Sequence, residues 1–280
     1  MKKILFALVT ILGLSANAQI KMPAASTTQT ISQEFGLGKI EITYARPSLK
    51  GRTAFEKGSL LAPVGEIWRT GANSATKITF SNAVTIGGKE IAAGTYAIFT
   101  IPGTKEWTVI INTNVKSWGS SDYKVEDDVV RVNVPVQTTN ISTETFTIGV
   151  DNITASTATI SFKWANTLVN LPLSTDIKPT IRKQIEEATK GTNVSSNVYQ
   201  TAANFFFDID NDYDKALVYV DKAIAGNAKA YWLYLLKAKI QKELGDKKGA
   251  RTSAETCVKI ATEEKNADYV RSGNDLLKAL

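Results

Sequence analysis

The stretch WRTGAN, which begins at Trp68, contains side chains well suited to binding an anion. Arg69 carries a guanidinium group, whose paired N–H donors match two oxygens of a carboxylate, sulfate or phosphate. Thr70 and Asn73 add a hydroxyl and an amide donor, and Gly71 permits a tight bend between them. The stretch is therefore a candidate ligand-binding loop, although we favour a structural role in which Arg69 locks the turn.

A second stretch, ARPSLKGR, supplies further cations at Arg46, Lys50 and Arg52. Pro47 fixes its own backbone angle and disfavours helix in the residue before it, so the stretch is predicted to be a turn-rich loop. If this loop lies beside WRTGAN, three or four cations converge on one site. Such a site would bind an anionic ligand.

A purely structural interpretation of the WRTGAN stretch stays open. Arg69 would then pair with an internal acid such as Glu66 or Asp128, and Asn73 would cap a turn. Pairing is the usual solution for a buried charge, because an unpaired buried charge is costly.

Aromatic residues offer another type of site, since their faces can stack on sugar rings. Trp107 and Trp164 lie inside strand patterns and are predicted to be core residues, and Trp68 adjoins Arg69. Trp118, in the loop KSWGSSDYK, is predicted to be exposed, and with Tyr123 it would line a groove for a glycan. The alternative is that Trp118 plugs one end of the β domain.

The chain has no histidine, which excludes a Ser-His-Asp triad, a Cys-His pair and an imidazole metal site. A glycosidase needs two carboxylates across a cleft. Glu66, Glu126, Asp127 and Asp128 are available, but no sequence signal selects a pair. We therefore predict no catalytic residue, with a carboxylate-based hydrolase or lyase on cell-wall or glycan substrates as the alternative.

The stretch DIDNDYDKA, residues 208–216, has aspartates at alternate positions, as in calcium-binding loops. However, the glycine and glutamate that such loops carry at their sixth and twelfth positions are replaced by Tyr213 and Tyr219. Helix capping explains the aspartates better. No metal site and no cofactor are predicted.

The N-terminus has the pattern of a secretion signal. Lys2 and Lys3 precede an apolar run at residues 4–14, and cleavage is predicted between Ala18 and Gln19. The apolar run is too short to span a bilayer, so we expect a periplasmic or secreted protein without a membrane span. Without the signal, 31 basic residues face 27 acidic ones, a net charge of +4. Because these charges are interspersed, nucleic acid is not an expected partner.

Two domains are predicted after the signal, giving an α+β multidomain protein. Residues 19–174 contain short alternating runs separated by turns, with a hairpin signal at Gly87-Gly88. This pattern predicts an antiparallel β-sandwich or jelly roll. Residues 175–280 are rich in Ala, Lys, Glu and Leu with helical periodicity.

The helical part contains a weak repeat. Asp212 and Ala216 recur 34 residues later as Asp246 and Ala250, and Cys257 stands at the position that alanine occupies in the first unit. This period resembles the tetratricopeptide helical hairpin. It predicts that Cys257 is a small apolar residue in a helix interface. A plain helical bundle is the alternative.

Several motifs in the β region resemble a family of secreted bacterial proteins called domain of unknown function 2911. They are YARPSLKGRTAF, LLAPVGEIWRTGANSATKITFSNAVTIGGKEIAAGTYAIFTIPGTKEWTVIIN, SWGSSDYKVEDDVVRVNV and ETFTIGV. The resemblance covers about residues 28–174 and implies a signal peptide, with helical repeats following in some members. It implies no activity, because none is established for the family.

Together these features predict a non-catalytic periplasmic or secreted binding module. The β domain would bind an anionic or glycan ligand. The helical repeats would present a concave face to a protein partner. The short connection LPLSTDIKPT favours domains that are docked onto each other.

Overall fold

The computed structural model describes residues 22–280, so the predicted signal peptide lies outside the described residues. The described chain begins with strands and ends with helices, as predicted for an α+β protein. The strands are β1 (Thr27–Phe35), β2 (Gly38–Arg46), β3 (Ala72–Phe80), β4 (Val84–Ile86), β5 (Lys89–Ile91), β6 (Gly94–Ile101), β7 (Glu106–Asn112), β8 (Asp128–Asp151) and β9 (Thr157–Ser174).

The strands of the described chain form one antiparallel sheet with the order β1-β2-β3-β6-β7-β8-β9-β4-β5. Strand β8 is 24 residues long and belongs to two ladders. Its first part, up to Pro135, pairs with β7, and its second part, from Val136 to Asp151, pairs with β9. Both halves of the sheet can therefore contribute to one core.

The sheet curls back so that β2 meets the second part of β8. The Phe146 amide donates to the Pro47 carbonyl at 2.8 Å. The Arg46 guanidinium donates through Nε to the Phe146 carbonyl at 3.1 Å, and the Tyr44 hydroxyl accepts from the Ile148 amide at 2.9 Å. We call this contact of Tyr44, Arg46, Phe146 and Ile148 the β2–β8 seam. It satisfies backbone groups that would otherwise form an open strand edge.

Inside the curled sheet lies one apolar core to which β2, β3, β6, β7, β8, β9 and β4 all contribute. Trp107 and Trp164 are each 1% exposed, so their predicted place in the core is confirmed. The indole of Trp164 stacks on that of Trp68 with ring centroids 5.8 Å apart, and Phe146 packs on Trp68 at 5.0 Å. These aromatic contacts tie the second part of β8 and β9 to the opposite layer.

The described chain continues into six α-helices. They are α1 (Lys178–Ala188), α2 (Ser196–Phe205), α3 (Tyr213–Gly226), α4 (Tyr231–Glu243), α5 (Lys247–Glu263) and α6 (Ala267–Lys278). A single π-helical turn, Phe206–Asp210, extends α2. None of these helices is long and apolar enough to cross a membrane.

The repeated residues occupy matching positions in the helices. The carboxylates of Asp212 and Asp246 cap α3 and α5 by accepting from backbone amides at 3.1 and 2.8 Å. Ala216, Ala250 and Cys257 are fully buried. The capping role predicted for the DIDNDYDKA stretch is confirmed for Asp212, because its side chain satisfies an amide that the first helical turn leaves free.

The two parts of the chain meet at a short junction between β9 and α1. Ile177 is buried, and the Thr175 hydroxyl donates to the Ala83 carbonyl at 2.9 Å. At Gly36, in the β1–β2 turn, a β-carbon would lie 2.6 Å from the Thr175 methyl group. The junction is therefore packed against the sheet.

The β2–β8 seam generates a stability prediction. Arg46→Ala removes two hydrogen-bond donors and leaves the buried Phe146 carbonyl without the donor that Arg46 Nε supplies. We therefore expect the free energy of unfolding to fall by about 1–3 kcal/mol. Urea unfolding followed by tryptophan fluorescence measures this change, because three indoles lie in the adjacent core. Arg52→Ala is the matched control, since that exposed side chain bonds only to nearby loop carbonyls, and its effect should stay within about 0.5 kcal/mol. Equal effects of both variants would contradict the role of the seam.

Candidate functional site

The WRTGAN stretch forms a loop that leaves the sheet and returns to it. Before the loop, Trp68 forms a two-way backbone pair with Thr100 on β6, at 2.7 and 2.9 Å. After the loop, β3 pairs with the same edge of β6, starting at Thr76. Two hydrogen bonds close the base of the loop. The Thr76 amide donates to the Arg69 carbonyl at 3.2 Å, and the Thr76 hydroxyl donates to the Thr70 carbonyl at 2.6 Å.

Trp68 anchors this loop from below. It is 2% exposed, and its indole N–H donates to the Gly71 carbonyl at 3.1 Å. The structure thus places Trp68 in the core and not on a ligand-accessible surface. Thr70 is also fully buried, with its hydroxyl bonded to that of Thr100 at 3.2 Å.

The loop backbone is held in an unusual conformation. Thr70 has a φ of 56° and Asn73 a φ of 60°. The left-handed region is costly for a β-branched residue such as threonine, by about 1–3 kcal/mol. At Gly71 a β-carbon would lie 2.9 Å from the Ala45 carbonyl oxygen. Close backbone approach therefore requires glycine there, and burial of Thr70 and Trp68 maintains the strained turn.

Arg69 points to the side of the sheet opposite Trp68. Because Trp68 pairs with Thr100, the antiparallel register sets Arg69 opposite Phe99, which belongs to an apolar cluster on the outer face with Ala75, Ala97 and Ile110. The Arg69 Nε atom is buried and has no hydrogen-bond partner in the described part of the chain. Desolvation by burial lowers the pKa of its guanidinium.

Neither of the acids predicted to pair with Arg69 does so. Glu66 is exposed. The Asp128 carboxylate is held by Arg131 Nε at 2.6 Å, by the Tyr123 hydroxyl at 2.7 Å and by Asn112 Nδ2 at 2.8 Å. The interpretation of Arg69 as one half of a buried ion pair with these residues is therefore wrong.

Ser117 is a second buried donor on the same face. Ser74 pairs with Trp118, and the Ala75 amide donates to the Ser117 carbonyl at 3.1 Å, so Ser117 lies opposite Ala75. Its side chain thus faces the outer apolar cluster, as does Arg69. Ser117 is 1% exposed, and its hydroxyl has no hydrogen-bond partner within residues 22–280. We call Arg69 and Ser117, together with Phe99 and Ala75, which lie opposite them in the register, the outer-face site.

The loop that carries Ser117 is fixed by a polar network at its end. The Tyr123 ring packs on Phe99 with centroids 5.1 Å apart, and its hydroxyl bonds to Asp128 and to Arg131. Burial and the Asp128 carboxylate together raise the pKa of Tyr123 to about 12. Tyr123 therefore covers the outer apolar cluster and does not line an open groove.

Trp118 is the exposed aromatic residue of this loop, as predicted. Its side chain is 69% exposed. The Gly119 amide donates to the Asn73 carbonyl at 3.3 Å, so the tip of the WRTGAN loop is joined to the loop of Trp118. Asn73 is itself exposed. An exposed indole beside an amide side chain leaves a stacking surface open to solvent.

The two basic stretches adjoin through their backbones, but their cations do not converge. Ala45 pairs with Ala72, yet Arg46 is engaged in the β2–β8 seam. Arg52 donates to the Leu49 and Ser48 carbonyls at 3.0 and 2.9 Å. Lys50 is exposed, and its backbone amide bonds to the Glu144 carboxylate at 2.8 Å. The prediction of three or four cations around one anion is therefore not what the structure shows.

Carboxylates do not gather near the outer-face site in a way that suggests hydrolysis. Asp128 is fully engaged, Glu66 and Glu126 are exposed, and the described residues contain no group of three His, Cys, Asp or Glu side chains suited to a metal ion. Asp210, from the DIDNDYDKA stretch, pairs with Arg182 at 2.5 Å.

Sequence reasoning missed Ser117, although it singled out its neighbour Trp118. A lone serine in a polar loop carries no signal for burial. Only the pairing of the loop with residues 73–75 removes this hydroxyl from water. The lack of a partner for Arg69 Nε within residues 22–280 was equally hidden, because the sequence offers acids such as Glu66 and Asp128 as possible partners.

The fold defines a general class of α+β protein: an antiparallel sheet that curls around one core, followed by helices. Within that class the chain belongs to the family described as "Protein of unknown function (DUF2911)", whose family model matches residues 26–173. Neither the curated proteins nor the solved structures contain a significant match to the chain.

The network around Tyr123 generates a pH prediction. Its pKa rises from about 10 to about 12 on folding, so the folded state holds the proton more tightly and this contribution to stability is complete below pH 10. It should be lost as the pH rises from about 10 to about 12. Urea unfolding of the wild type and of Tyr123→Phe across that range measures the loss. The wild type should lose more stability than the variant, and parallel curves would contradict the assignment.

Proposed function

We propose that the protein is an exported, non-catalytic binding module whose outer-face site binds an anionic group. The observation that carries the proposal is a pair of buried polar atoms on one face of the sheet, Arg69 Nε and Ser117 Oγ, which have no hydrogen-bond partner within the described residues 22–280. Export rests on the signal-like N-terminus, with Lys2 and Lys3 before an apolar run. In the same proposal, the curled sheet is a sandwich of the jelly-roll type.

The charge of the two donors indicates the ligand. Buried polar groups are normally hydrogen-bonded, and leaving a donor unsatisfied costs about 1–3 kcal/mol, more when the group is charged. Arg69 Nε can only donate and the Ser117 hydroxyl can also donate, so an acceptor with at least two oxygens satisfies both groups. A carboxylate fits this requirement best, because a guanidinium can bind both of its oxygens.

Burial also favours a charged ligand over water. The Arg69 guanidinium is partly removed from solvent with no carboxylate from Glu66 or Asp128 to balance it, and desolvation lowers its pKa. An anion would stabilise the charged guanidinium and offset the cost of desolvation. The exposed indole of Trp118 on the same loop extends the proposal to carboxylates carried on sugar rings.

A binding experiment tests the outer-face site. Residues 19–280 are titrated with sodium acetate, glucuronate and phosphate, and backbone amide shifts are followed by NMR. We expect a carboxylate to shift the amides near Ser117, and Arg69→Met or Ser117→Ala to weaken binding at least about tenfold, the effect of losing a charge-assisted hydrogen bond. Arg52→Met is the matched control and should bind as the wild type does.

Stability of the same variants separates binding from a structural role. Arg69→Met replaces an unsatisfied donor by an apolar chain of similar length, so the free energy of unfolding should stay within about 1 kcal/mol of the wild type or rise. If Arg69 only locks the turn, the variant would instead lose about 1–3 kcal/mol and no anion would bind to the wild type.

For the helical part we propose a tetratricopeptide-like scaffold that receives an extended segment of a protein partner. The 34-residue recurrence of capped, alanine-centred helices supports the scaffold. A groove of about 240 Å³ lies between α2, α4 and α6. The groove is lined by the apolar or aromatic side chains of Trp232, Leu236 and Tyr269 and by the amides of Gln200 and Asn204. This combination suits an extended peptide, which needs apolar contacts and hydrogen bonds to its backbone.

Site-specific crosslinking tests this groove. A photo-crosslinking amino acid is placed at Lys239, which lines the groove, and at Glu255, which is exposed on α5. In cells that produce the protein, we expect one defined adduct from position 239 and none from position 255. Adducts of equal yield from both positions, or from neither, would contradict a partner in this groove.

A further inference from the structure

Strand β1 forms a long, open edge of the sheet. It pairs with β2 over nine residues, from Thr27 to Phe35, without a bulge. Its other edge has no backbone hydrogen-bond partner among residues 22–280. The outward side chains of Thr28, Thr30 and Ser32 are exposed. An unpaired row of N–H and C=O groups is a template for another strand.

Two other edges of this sheet are protected, in contrast to the edge of β1. Strand β5, at the opposite end of the sheet, has only three residues, two of them the charged Lys89 and Glu90. The edge of the second part of β8 that does not pair with β9 is covered at the β2–β8 seam by side chains of β2 and by the backbone that follows it. Natural proteins protect edges by such short strands, charges and coverings. In contrast, β1 contains neither proline nor lysine.

We propose that β1 pairs antiparallel with β1 of a second copy of this chain, about a two-fold axis at Ile31. Such an interface is isologous, because each copy contributes the same residues. The sheets of the two copies would join into one continuous sheet. The partner is therefore the chain itself and not an unrelated peptide.

The side chains of β1 are complementary to themselves in this register. Ile31 meets its own counterpart, Gln29 lies opposite Gln33, and Thr30 lies opposite Ser32. Amide with amide, hydroxyl with hydroxyl and apolar with apolar are favourable cross-strand pairs. The burial pattern supports this arrangement, since Gln29, Ile31 and Gln33 are partly buried on one face while Thr30 and Ser32 are exposed on the other.

Charge does not oppose the pairing. Glu34 is the one ionisable residue of β1, and in this register it lies opposite Thr28 of the other copy. The two Glu34 carboxylates are then about 20 Å apart along the strands, at about 3.4 Å per residue. This separation exceeds the Debye length at physiological ionic strength. An edge with like charges near its centre would not pair in this way.

Sedimentation velocity tests the proposal on residues 19–280, from about 5 to about 300 µM, because a small interface gives weak association. The wild type should shift from monomer to dimer with concentration. Thr30→Lys combined with Ser32→Lys sets each new lysine opposite a lysine of the other copy. We expect this variant to raise the dimer dissociation constant at least about tenfold.

A charge-reversed variant provides the matched control. Thr30→Lys combined with Ser32→Glu sets opposite charges across the same two-fold axis, so the dimer should persist. Both positions are exposed in the monomer, and circular dichroism confirms that each variant is folded. A wild type that stays monomeric throughout, or two double variants with the same dissociation constant, would overturn the proposal.

Discussion

The seam between β2 and β8 is the contact on which the β region depends. A sheet in which β8 runs through two ladders must bring its two halves together, or its apolar face stays in water. The Arg46 guanidinium, the Tyr44 hydroxyl and the backbone of the segment after β2 bond to Phe146 and Ile148. With the seam closed, Trp68 and Trp164 can stack across the core.

The closed core in turn explains the unusual chemistry of the outer face. Trp68 is drawn inward, so its neighbour Arg69 must point outward onto the apolar cluster around Phe99. Alternation along an extended chain allows no other arrangement. The loop of Ser117 then covers this cluster, held by the Tyr123–Asp128 contact. Arg69 Nε and Ser117 Oγ are thereby buried without a hydrogen-bond partner among residues 22–280, and in our proposal an anion supplies that partner.

Much of the architecture was readable in the sequence. Alternating runs and the Gly87-Gly88 turn predicted antiparallel strands, and β4 and β5 form that hairpin. Helical periodicity predicted helices from about residue 175 onward, and the aspartates of DIDNDYDKA predicted a helix cap, which Asp212 provides for α3. These features are local, because strand alternation, turns and caps depend on residues that are near one another in sequence.

The sequence by itself therefore determined the order and type of the secondary-structure elements and the family. It also identified candidate ligand-binding residues, including Arg69 and Trp118. Only the tertiary structure decided which cations were already engaged. Arg46 and Arg69 both adjoin a turn-rich stretch in the sequence, yet Arg46 bonds to Phe146 and Thr147 across the seam, while Arg69 Nε has no partner in the part of the chain that the structure describes. The physical reason is that hydrogen-bond partners and burial come from strands distant in the chain, 100 positions away for the Arg46–Phe146 bond, and local sequence patterns do not specify such contacts.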